Sequence, residues 1–164
     1  MAKATLDPKF LPLIEGRRVA SLATLNEDGS PHLTAVWYVY HDGCFFVATS
    51  SRSRKARNLA DRPTATLMVE ARKPGSEVGV TARGPVEIIS GEKAHECNLQ
   101  VHRRYLSAAA IADPQVGDVF AQFDDIALKL RPRVWTWWDM PELDAMYFGG
   151  RFGKTPGYLL PQEL

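Results

Sequence analysis

The hydrophobic pattern of the chain consists of short apolar and β-branched runs separated by clusters of Gly, Pro, Asn and Asp. Runs of this length predict strands joined by turns, and their spacing favours an antiparallel barrel over alternating βαβ units. The pattern therefore predicts one mainly β domain with short helices over residues 1–164, ending in a tail at 139–164. Six strands are predicted, at residues 19–25, 33–40, 44–49, 64–69, 78–89 and 127–138.

Helix signals interrupt this pattern at three places. Asp7 is a predicted N-cap, and Gly16 ends the short helix that follows it. The basic stretch 52–61 favours a second helix, and a third is predicted from a cap at Ser90 to about residue 109. The pattern of 113–124 is ambiguous.

A basic segment follows the third predicted strand and opens the second helix, with the sequence Thr49-Ser50-Ser51-Arg52-Ser53-Arg54-Lys55. Cations at a helix N-terminus are unfavourable because the free N–H groups there already carry partial positive charge, whereas a bound anion reverses that sign. Two interpretations stay open. The segment is either a solvated basic surface or a site where hydroxyls, N–H groups and cations hold a phosphate.

The second predicted strand carries large side chains on both of its faces. Successive side chains of a strand point to opposite faces. One face therefore carries His32, Thr34, Val36 and Tyr38, and the other carries Leu33, Ala35, Trp37 and Val39. One face must pack on the core, and the other packs on the core or on a ligand. The last strand holds three of the four tryptophans, and Trp135 and Trp137 share a face that suits either an interface or a flat ring system.

Composition and charge narrow the function classes. A net charge of +1 gives no overall field for nucleic acid or membranes, and no apolar run is long enough for a membrane span. Two cysteines, Cys44 and Cys97, make neither a disulfide framework nor a metal site. With no signal peptide apparent, we expect a cytoplasmic protein that binds neither nucleic acid nor membrane.

Two further patterns are rejected as sites. The stretch 149–155 looks like a P-loop, but its glycine spacing is one residue short and no strand–helix context surrounds it. His95 and His102 lie seven residues apart on a predicted helix without a carboxylate cluster, so no metal site is predicted.

Several motifs in their order and spacing resemble the pyridoxamine-phosphate-oxidase-like split-barrel superfamily. Within it, the pattern is closest to the F420-dependent enzymes of the flavin/deazaflavin oxidoreductase group. The resemblance covers roughly residues 10–138 and is strongest from 20 to 90. The motifs are Leu22-Ala23-Thr24-Leu25, Asp28-Gly29-Ser30-Pro31-His32, Thr34-Ala35-Val36-Trp37-Tyr38, Asp42-Gly43, Thr49, Ser53-Arg54-Lys55-Ala56-Arg57-Asn58-Leu59 and Asp61-Arg62-Pro63.

The resemblance implies a six-stranded antiparallel split β-barrel of the FMN-binding type, which forms a homodimer with its cofactor at the subunit interface. It also implies which residues bind that cofactor. The phosphate contacts would be Thr49, Arg54 and Lys55, with Ser50 and Ser53 beside them. The ring and ribityl contacts would be Thr34, Ala35, Val36 and Trp37, with Trp135 given by the partner subunit. Ala48 stands where the FMN-using phosphate oxidases often have a tyrosine, which argues against pyridoxamine-phosphate oxidation.

By this resemblance, the leading interpretation is an oxidoreductase that transfers hydride between coenzyme F420 and an unsaturated small molecule. There are three alternatives: an FMN-dependent oxidoreductase, a non-catalytic flavin or deazaflavin carrier, and a haem-binding relative. Arg52 and Arg57 would meet the acidic tail of F420. No catalytic residue is predicted; Tyr38 and His32 are the candidates for a proton donor, and the aromatic tail around Tyr147 is either a lid or a cover for the dimer.

Overall fold

Eight antiparallel strands form the frame of the protein in a computed structural model that describes residues 3–160. They run in the order β2-β1-β5-β6-β7-β4-β3, and β8 pairs with β6 outside this path. The result is a mainly antiparallel, split-barrel-like fold whose sheet does not close. The strands are Ala20–Leu25 (β1), Pro31–Val36 (β2), Val39–His41 (β3), Cys44–Thr49 (β4), Thr64–Ala71 (β5), Val78–Ser90 (β6), Ile126–Leu130 (β7) and Val134–Asp139 (β8).

The long strand β6 joins the two halves of the barrel. Its first part lies between β5 and β8, and its second part, from Val86, pairs with β7. Gly84 marks the transition, because a Cβ there would lie 1.9 Å from the carbonyl oxygen of Arg131. Only glycine allows the backbones to approach this closely.

The strand count differs from the six predicted because two predicted strands each break in two. The run 33–40 divides at Trp37, since β2 pairs with β1 in one half whereas β3 pairs with β4 in the other. The run 127–138 divides at 131–133, where the chain passes from β7 to β8 across β6. The apolar run continues through the first break, so the sequence does not reveal that the partner strand changes there. At the second break, Arg131-Pro132-Arg133 interrupts the apolar pattern, and Pro132 is a signal for the end of a strand that the prediction did not use.

Short helices cover the open parts of the barrel. The long helix starts after Gly91, whose φ is +68°, and Ser90 is not its cap as predicted, because Ser90 still belongs to β6. The helix ends at residue 105 instead of the predicted 109. The ambiguous stretch 113–124 forms a π-helical turn and a short helix, and the tail forms two helices. The helices are Leu11–Glu15 (α1), Arg54–Asp61 (α2), Glu92–Tyr105 (α3), Ala108–Ala112 (α4), Val119–Phe123 (α5), Met140–Phe148 (α6) and Arg151–Lys154 (α7), with a 3-10 turn at Pro8–Phe10 and the π turn at Pro114–Asp118.

None of the helices within residues 3–160 is long and apolar enough to cross a membrane. One hydrophobic core fills the barrel, and its largest fully buried side chains come from β1, the β2–β3 junction, β4, β5, β6, β7, α1 and α2. The alternation predicted for β2 holds: Val36 is buried, whereas Leu33 on the opposite face is 67% exposed.

Tyr38 is the largest of the fully buried side chains. Its hydroxyl donates a hydrogen bond of 2.6 Å to the carbonyl oxygen of Ile14, and its backbone N–H donates to the hydroxyl of Tyr105 at 3.3 Å. Burial raises the pKa of the Tyr38 phenol from 10.0 to about 12. The phenol is therefore held neutral in the core, where it joins α1 to the β2–β3 junction.

The raised pKa of Tyr38 predicts a specific alkaline instability. Between pH 10 and 12 the unfolded chain ionises this phenol while the folded chain does not, so its contribution to stability is full below pH 10 and is lost as pH rises through 12. Tyr38→Phe should cost about 1 kcal/mol near pH 8, for the lost hydrogen bond. The stability gap to the original protein should then shrink from pH 10 upward in urea unfolding curves; a constant gap would contradict this account.

Candidate functional site

A cleft of about 460 Å³ opens where the β2–β3 junction, the end of β4, the start of α2 and the end of α5 meet. One end of the cleft is polar and the other is apolar and aromatic. Its lining residues are Val19, Ala35, Val36, Trp37, Ala48, Thr49, Lys55, Phe120 and Asp124.

The polar end is built on the N-terminus of α2. Ser53 is the N-cap, and its hydroxyl accepts a hydrogen bond from the N–H of Ala56 at 3.3 Å and another from the hydroxyl of Thr49 at 3.3 Å. The first N–H groups of a helix have no acceptor within the helix and carry its positive dipole end. The start of α2 is therefore suited to an anion, and Thr49 and Lys55 are the residues of this region that line the cleft.

The loop before α2 is held by Asp125. The carboxylate of Asp125 accepts from both the N–H and the hydroxyl of Ser51, each at 2.6 Å. These bonds lower the pKa of the Asp125 carboxyl below its usual value. The loop is thus tied to the start of β7, which fixes the direction from which α2 begins.

Asn58 fixes α2 from its other side. Its amide is 8% exposed and donates to Thr24 Oγ1 at 3.0 Å and to Asn26 Oδ1 at 3.1 Å. Arg62 adds bonds to the carbonyl oxygens of Asn26 and Glu27 at 2.7 and 2.9 Å. Because these contacts tie α2 to the β1–β2 turn, Lys55 has a defined position at the cleft.

Lys55 and Asp124 face the cleft together. Burial lowers the pKa of the Lys55 ammonium, and the negative charge of Asp124 opposes that shift. Asp124 in turn lies 2.8 Å from Nε2 of His102, whose side chain is only 7% exposed. The cleft therefore contains a partly desolvated cation next to a carboxylate that a buried imidazole holds in place.

The aromatic wall is formed by Trp37. Its indole stacks on Tyr105, with centroids 4.9 Å apart and planes within 4°, and on Phe120 at 5.5 Å. The hydroxyl of Tyr105 donates to the carbonyl oxygen of Arg18 at 2.6 Å, and Phe120 lies 5.2 Å from the ring of His102. The wall is thus a rigid, preformed stack whose rings belong to β2–β3, α3 and α5.

The structure brings only part of the predicted cofactor set to this cleft. Ala35, Val36, Trp37, Ala48, Thr49 and Lys55 line it. Ser50 and Ser53 line a neighbouring cleft of about 500 Å³ together with Arg52, and Thr34 lies outside both clefts. Arg54 points elsewhere: it lines a shallow depression with Asp28 at the β1–β2 turn. Hydrogen bonds from Ser30 lower the pKa of the Asp28 carboxyl, and the charge of Arg54 adds a smaller effect in the same direction.

Trp135 also lies away from the cleft. It is 4% exposed and packs on Phe45 at 6.0 Å and on Tyr40 at 6.5 Å in the core of its own chain. Of the two candidate proton donors, Tyr38 is enclosed in the core with its hydroxyl committed to Ile14, and His32 does not line the cleft.

Sequence reasoning missed Val19, Phe120 and Asp124 as lining residues. Phe120 and Asp124 belong to the stretch 113–124, whose pattern matched neither a strand nor a long helix. A signal was available in hindsight: a phenylalanine and two adjacent carboxylates precede an apolar strand there. No cluster of three or more His, Cys, Asp or Glu side chains suited to a metal occurs within the described part of the chain.

Solved structures with the same architecture place the fold among known proteins. A conserved hypothetical protein of Mycobacterium tuberculosis is 25% identical, with a TM-score of 0.70, over 98% of this chain and 91% of that one. An F420 reductase is 24% identical, with a TM-score of 0.62, over 80% of this chain and 98% of its own. The haem storage protein HutZ of Vibrio cholerae is 20% identical, with a TM-score of 0.60, over 82% and 94%.

The chain also matches a known sequence family over most of its length. Residues 6–137 match the pyridoxamine 5'-phosphate oxidase family. This range contains every strand from β1 to β7 and most of β8, together with all the residues that line the cleft. The chain therefore belongs to the pyridoxamine 5'-phosphate oxidase family.

Proposed function

We propose that this protein is an oxidoreductase that transfers hydride between coenzyme F420 and an unsaturated small-molecule substrate. The observation that carries the proposal is the polarity of the cleft. Thr49, Lys55 and the start of α2 suit a phosphate at one end, and the stack on Trp37 provides a flat apolar wall at the other. A phosphate-bearing ring cofactor has the same division into polar and flat parts.

The chain's own residues supply binding and orientation in this proposal. When bound, the deazaflavin supplies the hydride chemistry. Lys55 and the α2 amides hold the phosphate, while Trp37 and Val36 fix the position of the ring and keep water from one side of it. Because the cofactor carries the chemistry, the site needs no nucleophile, which agrees with the side chains that line the cleft.

The neighbouring cleft favours F420 over FMN. F420 continues beyond its phosphate into an acidic tail, and FMN ends there. Arg52 lines this second cleft on the same loop as Ser50 and Ser53, so a cation and a path are present where such a tail would leave the phosphate. The carboxylate of Asp125 lines the same cleft, but it already accepts two hydrogen bonds from Ser51. Arg57, the other residue expected at the tail, is exposed on α2 and lines neither cleft. The F420 reductase of the same fold supports this choice of cofactor.

Equilibrium titrations of F420 and FMN should separate Lys55 from Arg54. Lys55→Ala should weaken binding of both cofactors by about tenfold or more, because it removes a partly desolvated cation from the cleft. Arg54→Ala removes the same charge one residue away and should change either affinity by only about twofold, because Arg54 faces Asp28.

Two further measurements complete this experiment. Arg52→Ala should weaken F420 and leave FMN unchanged, since only F420 reaches the second cleft. Equal losses in Lys55→Ala and Arg54→Ala would show a diffuse basic surface instead of a built phosphate site. If F420 binds but its reduced form reduces none of a panel of unsaturated acceptors, the carrier alternative replaces the enzyme.

The active form is proposed to be a homodimer that closes the cleft. The outer face of β1 and β2 exposes apolar side chains, with Leu33 67%, Leu25 46% and the adjoining Val19 55% exposed. Val19 and Ala35 belong both to this face and to the cleft, so a second copy seated here would cover the open side of the site. Contiguous apolar surface of this kind is typical of protein interfaces.

Leu33→Asp should convert the dimer to a monomer, because it places a charge in the middle of the apolar face. Light scattering after size exclusion measures the mass directly. Met146→Asp is the matched control: Met146 is 64% exposed on α6, outside this face, and its variant should stay dimeric. If Met146→Asp dissociates the dimer and Leu33→Asp does not, the interface lies on the tail and this proposal is wrong.

A further inference from the structure

Asp124 is out of place in a cleft that binds an anion. Its carboxylate lines the same space as Thr49 and Lys55, and a negative charge there repels any phosphate. Arg52 and Arg54 do not line this cleft, since each lines a different depression. The charges that face a ligand in this cleft are therefore one ammonium, Lys55, and one carboxylate, Asp124.

The position of this carboxylate is built into the fold. Oδ2 of Asp124 lies 2.8 Å from Nε2 of His102, and the two side chains are 18% and 7% exposed. The amide of Asn98, itself 2% exposed, donates to the carbonyl oxygens of Asp124 at 2.6 Å and of Ile126 at 3.1 Å. With its side chain and backbone both held, Asp124 cannot turn away from the cleft without breaking buried hydrogen bonds.

Asp124 also lines a second, small cavity of about 40 Å³, which it shares with Asn98 and His102. Oδ1 of Asn98 is buried and has no hydrogen-bond partner among the described residues. The amide of Asn98 and the imidazole of His102 therefore lie beside Asp124 in this cavity, whose remaining lining is mostly apolar.

A fixed carboxylate discriminates between ligands by their charge. A phosphate monoester, as in FMN, carries close to two negative charges at neutral pH, whereas the phosphodiester of F420 carries one. The repulsion between Asp124 and the phosphate group beside it is proportional to the charge of that group, so it costs the monoester about twice as much. Lys55 attracts both ligands, and the doubly charged one gains more from it, but that gain is offset by the carboxylate beside it.

We propose that Asp124, held by His102, is a specificity-determining residue that shifts the preference of the cleft away from a phosphate monoester and towards a singly charged phosphodiester. This inference rests on the proposed function, since the cleft must bind the phosphate of the cofactor. It adds a reason for the choice between the two cofactors that lies within the phosphate site and is independent of the tail.

The test compares FMN, F420 and riboflavin, which has the flavin ring without a phosphate, by equilibrium titration. Asp124→Asn keeps the shape and an acceptor for His102 but removes the charge. It should tighten FMN by about tenfold and F420 by about threefold, and leave riboflavin unchanged. Asp118→Asn is the matched control, because Asp118 is exposed in the same segment and lines neither cleft.

The outcomes separate this inference from the proposed function. If Asp124→Asn leaves the ratio of FMN to F420 affinity unchanged, or if Asp118→Asn shifts it equally, Asp124 does not set specificity. If Lys55→Ala leaves both affinities unchanged, the cleft is not the phosphate site and the proposed function fails instead. Asp124→Ser removes the same charge and replaces Asp124→Asn should that variant not fold, as judged by circular dichroism.

Discussion

The pairing of β6 with strands of both halves is the constraint on which the rest of the structure depends. β6 contacts β5 and β8 along its first part and β7 along its second. The close approach at Gly84 lets the chain turn from β7 into β8 against β6, with Arg131 and Arg133 hydrogen-bonded to β6 on either side of the turn. Because β4 pairs with β7 and β1 pairs with β5, the two sides of the cleft hold their relative position through this one strand.

The cleft draws its residues from both halves and from the helices between them. The end of β4 leads into α2, which is tied to the β1–β2 turn through Asn58 and to the start of β7 through Asp125. The stack of Trp37 on Tyr105 and Phe120 adds α3 and α5. The bond from Asn58 to Thr24 is buried, the bonds from Ser51 to Asp125 are charge-assisted, and the aromatic stack fixes three rings, so the site is preorganised before a ligand arrives.

Much of the fold was predictable from the sequence, because local signals carried it. The turn residues, the alternation in β2, the N-cap at Asp7 and the helix after β4 all follow local rules. The break at Trp37 was not predictable, since it depends on which strand lies alongside, whereas Pro132 was a local signal for the break at 131–133. The basic segment was found from charge and order, but whether Arg54 or Lys55 faces the cleft depends on the rotation of α2, and Asp124 enters from a stretch with no clear period.

The central claim is that a phosphate-bearing redox cofactor binds where β4 meets α2, with its ring towards Trp37. Amide chemical-shift mapping with isotope-labelled protein and unlabelled F420 tests it most directly. The account predicts that the largest shifts fall on residues 49–56 together with the indole N–H of Trp37 and the amide of Asp124. Shifts confined to another surface, such as the aromatic tail around Tyr147, or no shifts at saturating F420, would contradict it.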